Sequence, residues 1–275
     1  KKILIVTHFS KKYGYGHFSR SENLYKALKK NYTFSLSLFK TRNLKTINKN
    51  IQFSSFEKKN LKFFDLIIFD LPKVLLKYIN LSKIKNKILV IDQILKSKNY
   101  FYLSQNLHLS NNKKNSKSGF EYLLLSEKIN FINLKKIKKK EDIIVFGGTT
   151  SKVPKRIINF CFREREKYKF KFFNYKKFKN STKFLTQLKS SKSILMRFGV
   201  TTYEAISLGI KPIIWTLNEK KDRKKDIRNL ERRNLINIFN ENKFYDYSKQ
   251  RNKIKIIRYD KINSFLGKIL KSNKN

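Results

Sequence analysis

The residues best suited to chemistry form one short stretch near the start of the chain. The stretch is Gly14-Tyr15-Gly16-His17, with Arg20 just behind it. It follows an apolar run at residues 3–6 and precedes a segment, residues 19–29, that has the pattern of a helix. The N-terminus of a helix favours an anion such as phosphate, and a histidine placed there can transfer a proton near neutral pH. The stretch alone is equally compatible with an ordinary turn that carries an incidental histidine.

Glycine is used sparingly elsewhere, since only eight occur in 275 residues. Two later turns combine glycine with hydroxyl side chains: Gly147-Gly148-Thr149 after the apolar run 143–146, and Gly199 with Thr201 and Thr202 after the run 193–197. The backbone N–H groups and hydroxyls of such turns can hold a diphosphate. Glu204 lies one turn into the helix that follows. It either accepts hydrogen bonds from ribose hydroxyls or stabilises the helix dipole.

Apolar runs alternate with helical patterns along most of the chain. Strands are predicted at residues 2–7, 32–39, 65–70, 87–92, 143–146, 169–175, 193–197 and 211–216, with shorter ones at 51–53, 101–107, 122–125 and 253–258. Strands that are apolar throughout and alternate with helices indicate an α/β fold with parallel sheets, whose ligands bind beyond the carboxyl ends of the strands. Asp70 and Asp92 fall at such ends, either as functional residues or as caps of turns and helices.

The pattern of strand, glycine turn and helix starts twice. A lysine-rich stretch without apolar periodicity, residues 134–142, separates the two halves. We therefore predict a first Rossmann-like domain at residues 1–135, which carries the histidine loop, and a second, nucleotide-binding one at residues 142–275. The two Rossmann-like domains are expected to face each other across a cleft.

The formal net charge of +46 is a weak guide to partners. The basic residues are mostly lysines spread through nearly every segment. Lysine and the other abundant residues, Asn, Ile, Phe and Tyr, have A/T-rich codons, so the base composition of the genome explains the charge. Arginine, the better reader of bases and phosphates, is the rarer of the two. We expect no specific nucleic-acid partner, but a weak attraction to anionic substrates or to an anionic membrane surface.

No apolar run reaches the roughly 20 residues of a membrane span, and no signal peptide with an apolar centre opens the chain. We expect a cytoplasmic protein. A single cysteine, Cys161, lies in an apolar run and is interpreted as a buried structural thiol. The few scattered histidines and this cysteine give no zinc spacing, so neither a metal nor another cofactor is expected.

Three motifs together resemble those of a known family. The first stretch, Gly14-Tyr15-Gly16-His17-Phe18-Ser19-Arg20, is similar to the G-x-G-H-x-x-R signature of the UDP-sugar hydrolase of pseudaminic acid synthesis and its spore-coat polysaccharide relatives, which are related to family 28 glycosyltransferases. The second and third are Phe146-Gly147-Gly148-Thr149, which resembles F-G-G-S/T, and residues 198–212, which resemble G-x-[ST]-x-x-E followed by L-G-x-P. Asp70, Asp92 and Asn106 fall where that family also tends to carry polar residues.

The resemblance implies a GT-B-type fold, in which the second domain holds the nucleotide and the residue matching His17 is catalytic. It also implies binding roles for the glycine-turn residues, for Arg20 and for Glu204. Two departures concern the ligand contacts: Val200 replaces a common glycine, and the segment around Glu219 differs from the usual one. Glu219 is kept as a possible binding residue, together with Asp70, Asp92 and Asn106.

Four functions follow as hypotheses. The first is a hydrolase that cleaves a nucleotide-activated sugar, UDP-linked by resemblance, with His17 as general base in surface-glycan synthesis of the nonulosonic acid type. The second is a glycosyltransferase on the same scaffold, with His17 activating an acceptor hydroxyl. A non-catalytic sugar-nucleotide binder and a basic nucleic-acid-binding protein are the remaining two.

Overall fold

The computed structural model describes residues 1–10, 16–40, 53–56, 59–93, 95, 100–104, 115–148, 152–173, 181–217, 219, 221–253 and 257–272. The strands are β1 (Lys2–Thr7), β2 (Thr33–Leu38), β3 (Phe53–Ser55), β4 (Leu66–Asp70), β5 (Lys87–Ile91), β6 (Phe101–Ser104), β7 (Ser116–Ser118), β8 (Ile143–Phe146), β9 (Phe170–Phe172), β10 (Ser193–Arg197), β11 (Ile213–Trp215) and β12 (Asn237–Ile238). The helices are α1 (Gly16–Leu28), α2 (Lys73–Leu76), α3 (Lys128–Leu134), α4 (Lys155–Arg163), α5 (Ser181–Ser190), α6 (Val200–Ser207), α7 (Lys221–Arg232), α8 (Phe244–Lys249) and α9 (Asp260–Lys271).

The chain divides into two compact units. The first comprises residues 1–124 and 258–275, and the second comprises residues 125–257. Each unit contains one parallel sheet, so the predicted α/β class with parallel sheets is confirmed. Among the described residues, no helix is long and apolar enough to cross a membrane.

The sheet of the first unit has the strand order β3-β2-β1-β4-β5-β6-β7 within the described residues. All its pairings are parallel, and β1 lies between β2 and β4 with Thr7 paired to Asp70. Apolar side chains of β1 and β4 are buried throughout, as a sheet covered on both faces requires. The strand order reverses between β1 and β4, so the carboxyl ends of these two strands meet at the position where open α/β sheets bind their ligands.

The sheet of the second unit has the order β12-β11-β10-β8-β9, again with parallel pairings. Its core places Phe160 of α4 and Phe244 of α8 against β8, β10 and β11. The two rings meet edge to face, with centroids 4.9 Å apart. The order reverses between β8 and β10, and the two glycine turns follow these same strands.

Some predicted elements differ in the structure. The strand expected at residues 122–125 is instead the end of a 3₁₀ turn, Phe120–Tyr122, and residues 123–125 are in neither a helix nor a strand. Of the strand expected at residues 253–258, residues 253, 257 and 258 are not in a strand, and residues 254–256 lie outside the described residues, as do 51 and 52. Helix α9 groups with the first unit, because Phe265 packs against the rings of Phe101 and Tyr122. The domain boundary predicted at residues 135–142 would instead place α9 in the second domain.

The side chain of Asn130 connects two distant segments of the second unit. Its amide nitrogen donates to the backbone oxygen of Ile257 at 2.8 Å, and its amide oxygen accepts from the backbone nitrogen of Ile257 at 2.9 Å. Ile257 is itself buried. The amide therefore pairs with the last residue of the unit as a neighbouring strand would.

We expect Asn130→Ala to lower the free energy of unfolding by about 1–3 kcal/mol, because two hydrogen bonds to a buried backbone are lost. Denaturant unfolding of the whole chain, compared with Asn159→Ala at an exposed position of α4, measures the effect. Equal stabilities of the two variants would contradict this role of Asn130.

Candidate functional site

The first candidate site lies at the carboxyl ends of β1, β4 and β5. These three strands are neighbours in the sheet, and Asp70 is the last residue of β4. Asp92 follows β5 with φ of +59°, a left-handed conformation that few residues other than glycine adopt. Helix α1 begins at Gly16, so His17 and Arg20 lie on its first turn and a half. The structure thus brings His17 and Arg20 of the first stretch together with the two aspartates at the strand ends.

His17 and Asp70 form a hydrogen-bonded pair. The Nδ1 atom of His17 lies 2.7 Å from Oδ1 of Asp70. The carboxylate is completely buried, whereas the imidazole side chain keeps 22% of its surface exposed. The same Nδ1 atom also lies 2.9 Å from a terminal nitrogen of Arg20, which can only donate. The contact to the carboxylate is the shorter of the two, and an ionised carboxylate only accepts, so we assign the proton to Nδ1 and the lone pair to Nε2. This arrangement orients a partly exposed ring whose Nε2 can accept a proton.

Arg20 holds the two carboxylates of the site. Its Nε donates to Oδ2 of Asp70 at 3.2 Å, and its terminal nitrogens form ion pairs with Asp70 and Asp92. Burial by itself raises the pKa of Asp70, but the charges and hydrogen bonds of Arg20 and His17 outweigh it and hold that pKa below its usual value. Arg20 is only 6% exposed. This geometry favours a positioning role for Arg20 over the predicted contact with ligand.

His8 is a second histidine at this edge of the sheet, and sequence reasoning missed it. Its Nδ1 lies 2.7 Å from the backbone oxygen of Phe39, and its Nε2 lies 3.0 Å from Oγ of Ser10. A carbonyl oxygen only accepts, so Nδ1 donates and Nε2 accepts from the hydroxyl. Burial lowers the pKa of His8; the Phe39 carbonyl opposes this and His17 adds to it. The signal available in the sequence was a histidine directly after an apolar strand.

The second candidate site lies at the carboxyl ends of β8 and β10. Gly148 has φ of +96°, a conformation that explains the need for glycine after β8. After β10, the backbone nitrogen of Gly199 donates to Oγ1 of Thr202 at 3.1 Å, and Thr202 is fully buried. Thr202 therefore secures the start of α6, whereas Thr201 keeps part of its surface exposed. Gly147 lies at the same edge as Gly148, directly after β8.

Glu204 lies on α6, one turn after the glycine. Burial raises its pKa to about 7, although a hydrogen bond with Thr201 acts in the opposite direction. A carboxyl group with this pKa changes its charge within the physiological range. Its predicted contact with a ribose stays a prediction.

The carboxylate of Glu219 forms ion pairs with two arginines of the same unit. Its side chain has no exposed surface, and it accepts from Nε of Arg197 at 2.5 Å and from Nη1 of Arg223 at 3.3 Å. The predicted contact between Glu219 and a ligand is therefore less favoured than a role in holding these arginines. Sequence reasoning passed over both arginines, although Arg197 stands at the end of an apolar strand and directly before the glycine turn.

Several predicted site residues lie outside the described residues. These are Gly14, Tyr15, Asn106 and Thr149. Within the described part of the chain, no three His, Cys, Asp or Glu side chains form a group that could hold a metal ion. Cys161 is buried, and burial raises the pKa of its thiol to about 12, so the thiol stays protonated at neutral pH.

Comparisons with known proteins establish the fold. No protein-family model matches the chain, and no curated protein matches its sequence. Solved structures do match. The UDP-GlcNAc 2-epimerase from Neisseria meningitidis bound to UDP-GlcNAc has a TM-score of 0.57 at 12% identity, over 98% of this chain and 100% of that one. Arabidopsis thaliana UGT89C1 complexed with UDP-L-rhamnose has a TM-score of 0.55 at 10% identity, over 90% and 89% of the two chains.

The spinosyn rhamnosyltransferase SpnG has a TM-score of 0.59 at 10% identity, over 97% of this chain and 91% of that one. These likenesses extend over nearly the whole of each chain. They show that the chain shares the fold of these structures, in agreement with the predicted GT-B-type fold. The narrower resemblance to a UDP-sugar hydrolase family stays a prediction.

We expect neutral His17 to carry its proton on Nδ1, because Asp70 accepts a hydrogen bond from that atom. The ¹⁵N shifts of its imidazole ring report the tautomer directly. With three histidines in the chain, a His8→Gln variant and a His17→Gln variant assign the signals. A ring protonated on Nε2 would contradict the orientation of the proton acceptor described above.

We expect the charge of Glu204 to reduce stability as the pH rises. The folded-state pKa of about 7 lies above the ordinary value of 4.5, so the folded protein binds more protons between these values. The free energy of unfolding should fall by up to about 3 kcal/mol from pH 4.5 to pH 7 relative to Glu204→Gln, which stays neutral. Parallel denaturation curves at several pH values measure the difference. A difference that is independent of pH would contradict the raised pKa.

Proposed function

We propose that this protein is an enzyme that cleaves the bond between the anomeric carbon and the diphosphate of a UDP-sugar. The observation that supports it best is the oriented imidazole of His17. A buried carboxylate contacts Nδ1, so the partly exposed ring can present Nε2 as a proton acceptor. The fold shared with UDP-sugar-binding enzymes makes such a substrate a natural candidate.

In the proposed reaction, Nε2 of His17 takes a proton from water as the water oxygen attacks the anomeric carbon. The bond from that carbon to the diphosphate oxygen breaks, and its electron pair leaves with UDP. The negative charge of Asp70 stabilises the imidazolium that forms. A positioned base of this kind contributes about 10²–10⁴-fold in rate. The products are the free sugar and UDP.

The second unit is proposed to bind the nucleotide. Its turn at Gly147-Gly148 and the start of α6 after Gly199 are proposed to offer backbone N–H groups to the charge that develops on the leaving diphosphate. The two Rossmann-like domains predicted at residues 1–135 and 142–275, facing each other across a cleft, belong to this proposal, with α9 grouped with the first of them. So do the binding roles of Gly14, Tyr15, Gly16, Thr149 and Thr201.

A glycosyltransferase is the second candidate, because the matching structures include an α-glucosyltransferase and the spinosyn rhamnosyltransferase SpnG. In that case His17 takes the proton of an acceptor hydroxyl instead of water, and the sugar is transferred. The part of the site described above serves both reactions equally. Hydrolysis in surface-glycan synthesis of the pseudaminic acid type remains our first choice on the motif resemblance.

We expect His17→Ala to lower the turnover of a UDP-sugar by at least 10²-fold while the affinity for UDP stays unchanged, because the base is lost and the nucleotide site is not. Turnover is measured as UDP release from a panel of UDP-sugars, and affinity by calorimetric titration with UDP. Glu22→Gln on the same helix is the matched control and should keep full activity.

The same experiment separates the candidate reactions. NMR of the products distinguishes a free sugar, a transferred sugar and an epimerised UDP-sugar. UDP release that requires an added acceptor would contradict the hydrolase and support the transferase. Equal loss of UDP affinity and turnover in His17→Ala would contradict the role of His17 as base.

A further inference from the structure

Helix α3 of the second unit exposes two large apolar side chains. Phe131 keeps 58% of its surface exposed and Leu134 keeps 85%, the largest exposed fraction of any large apolar side chain among the described residues. The opposite face of the helix is buried through Ile129 and Ile132. Single exposed apolar residues are common on protein surfaces, but residues three apart on a helix are neighbours, so these two form one patch.

A run of lysines follows this helix directly. Five of the six residues at 135–140 are lysines, and residues 128–140 include neither an acidic residue nor an arginine. All five lysines are exposed. The Nζ atom of Lys135 lies over the ring of Phe131, 4.4 Å from its centre. Codon composition accounts for the abundance of lysine in the chain, but the fold places these lysines beside exposed apolar side chains.

Hydrogen bonds hold this surface firmly on the second unit. The Nζ atom of Lys189 donates to the backbone oxygens of Ile132 and Asn133 at 2.8 Å each, so it satisfies carbonyl groups at the end of α3. The side-chain nitrogen of Asn133 donates to the backbone oxygen of Ser207 at 2.9 Å, and Lys139 donates to the backbone oxygen of Lys189. A surface that is ordered before it binds a partner loses little conformational entropy on binding.

The combination of apolar and basic side chains selects among the partners that would cover this surface. A second copy of the chain would place identical lysines against each other in a two-fold interface, and like charges disfavour that contact. A nucleic acid stacks its bases on aromatic rings, whereas Leu134 has no such face and Lys135 lies over that of Phe131. An anionic lipid surface suits both components, because lysines attract its headgroups and apolar side chains enter the boundary with the acyl chains.

We propose that Phe131 and Leu134, together with Lys135, Lys136 and Lys138, form a docking site for an anionic lipid surface. The protein binds there peripherally, with the two apolar side chains at the level of the headgroups and the lysines around them. This inference goes beyond the proposed function and does not depend on it, because none of these residues belongs to either candidate site.

Co-sedimentation of the full chain with lipid vesicles tests the docking site. The vesicles contain either phosphatidylcholine alone or a mixture of phosphatidylcholine and phosphatidylglycerol. We expect at least tenfold tighter binding to the mixed vesicles, since each lysine near an anionic surface contributes about fivefold in affinity. Added salt should weaken this binding because it screens the charges.

Charge variants separate the docking site from the overall charge of the chain. We expect Lys135→Gln/Lys136→Gln to weaken binding to the mixed vesicles by about tenfold. The matched control is Lys224→Gln/Lys225→Gln, which removes the same charge from adjacent exposed positions of α7. This control should bind within about threefold of the unmodified chain, because charges far from the lipid surface are screened.

Apolar variants test the insertion of side chains into the lipid. We expect Phe131→Ser and Leu134→Ser each to weaken binding to the mixed vesicles by about fivefold or more, because the apolar surface that enters the lipid is lost. Phe162→Ser, at a position of α4 that is 61% exposed, is the matched control and should bind as the unmodified chain does. All these positions are exposed, and thermal unfolding of each variant checks that it folds.

Three outcomes would overturn the inference. Equal binding of the site variants and their controls would show that the overall charge alone attracts the vesicles. A loss of binding to a DNA oligonucleotide in Lys135→Gln/Lys136→Gln, without a loss on vesicles, would favour a nucleic acid. Self-association of the chain that Leu134→Ser abolishes would favour a second copy. UDP release in the absence of vesicles should be the same in these variants and in the unmodified chain, and its absence in all of them would contradict only the proposed function.

Discussion

The buried ion pair between Asp70 and Arg20 is the interaction on which the first site depends. A carboxylate with no exposed surface at the end of a central strand is costly unless a cation and hydrogen bonds compensate it. Arg20 supplies both, and it is placed by the first turns of α1. Because the same carboxylate orients His17, one buried charge connects the sheet, the helix and the imidazole. Removal of Arg20 would leave the buried charge of Asp70 with His17 as its remaining partner, and removal of Asp70 would leave Arg20 with Asp92 alone.

Each unit holds charged side chains with a buried carboxylate, but the two arrangements differ. In the first unit, one arginine is shared by two carboxylates, and an imidazole completes the network. In the second, one carboxylate is shared by two arginines. In each case a fully buried acidic side chain at the carboxyl edge of a parallel sheet fixes the groups around it. Such fixed groups are favoured wherever chemistry needs preorganised charges.

The sequence predicted the strands and the glycine turns because local patterns determine them. Apolar runs such as residues 3–6 and 66–69 form fully buried parallel strands, and Gly148 adopts the left-handed conformation its turn requires. Which side chains contact each other depends on the tertiary fold, and a single sequence does not reveal these long-range contacts. Asp70 was therefore recognised as a residue at a strand end but not as the partner of His17. For the same reason, the apolar face of α9 predicted a helix but not the unit on which it packs.

The left-handed backbone of Asp92 limits which residues that position accepts. Glycine and asparagine adopt this conformation readily but bring no negative charge to the guanidinium of Arg20. Glutamate has the charge but a longer side chain and less tolerance for the conformation, and valine or isoleucine would be strained. Aspartate alone among these meets both demands at once. A library randomised at this codon and selected for folding should therefore enrich a single acidic residue, even though the position lies outside any strand or helix.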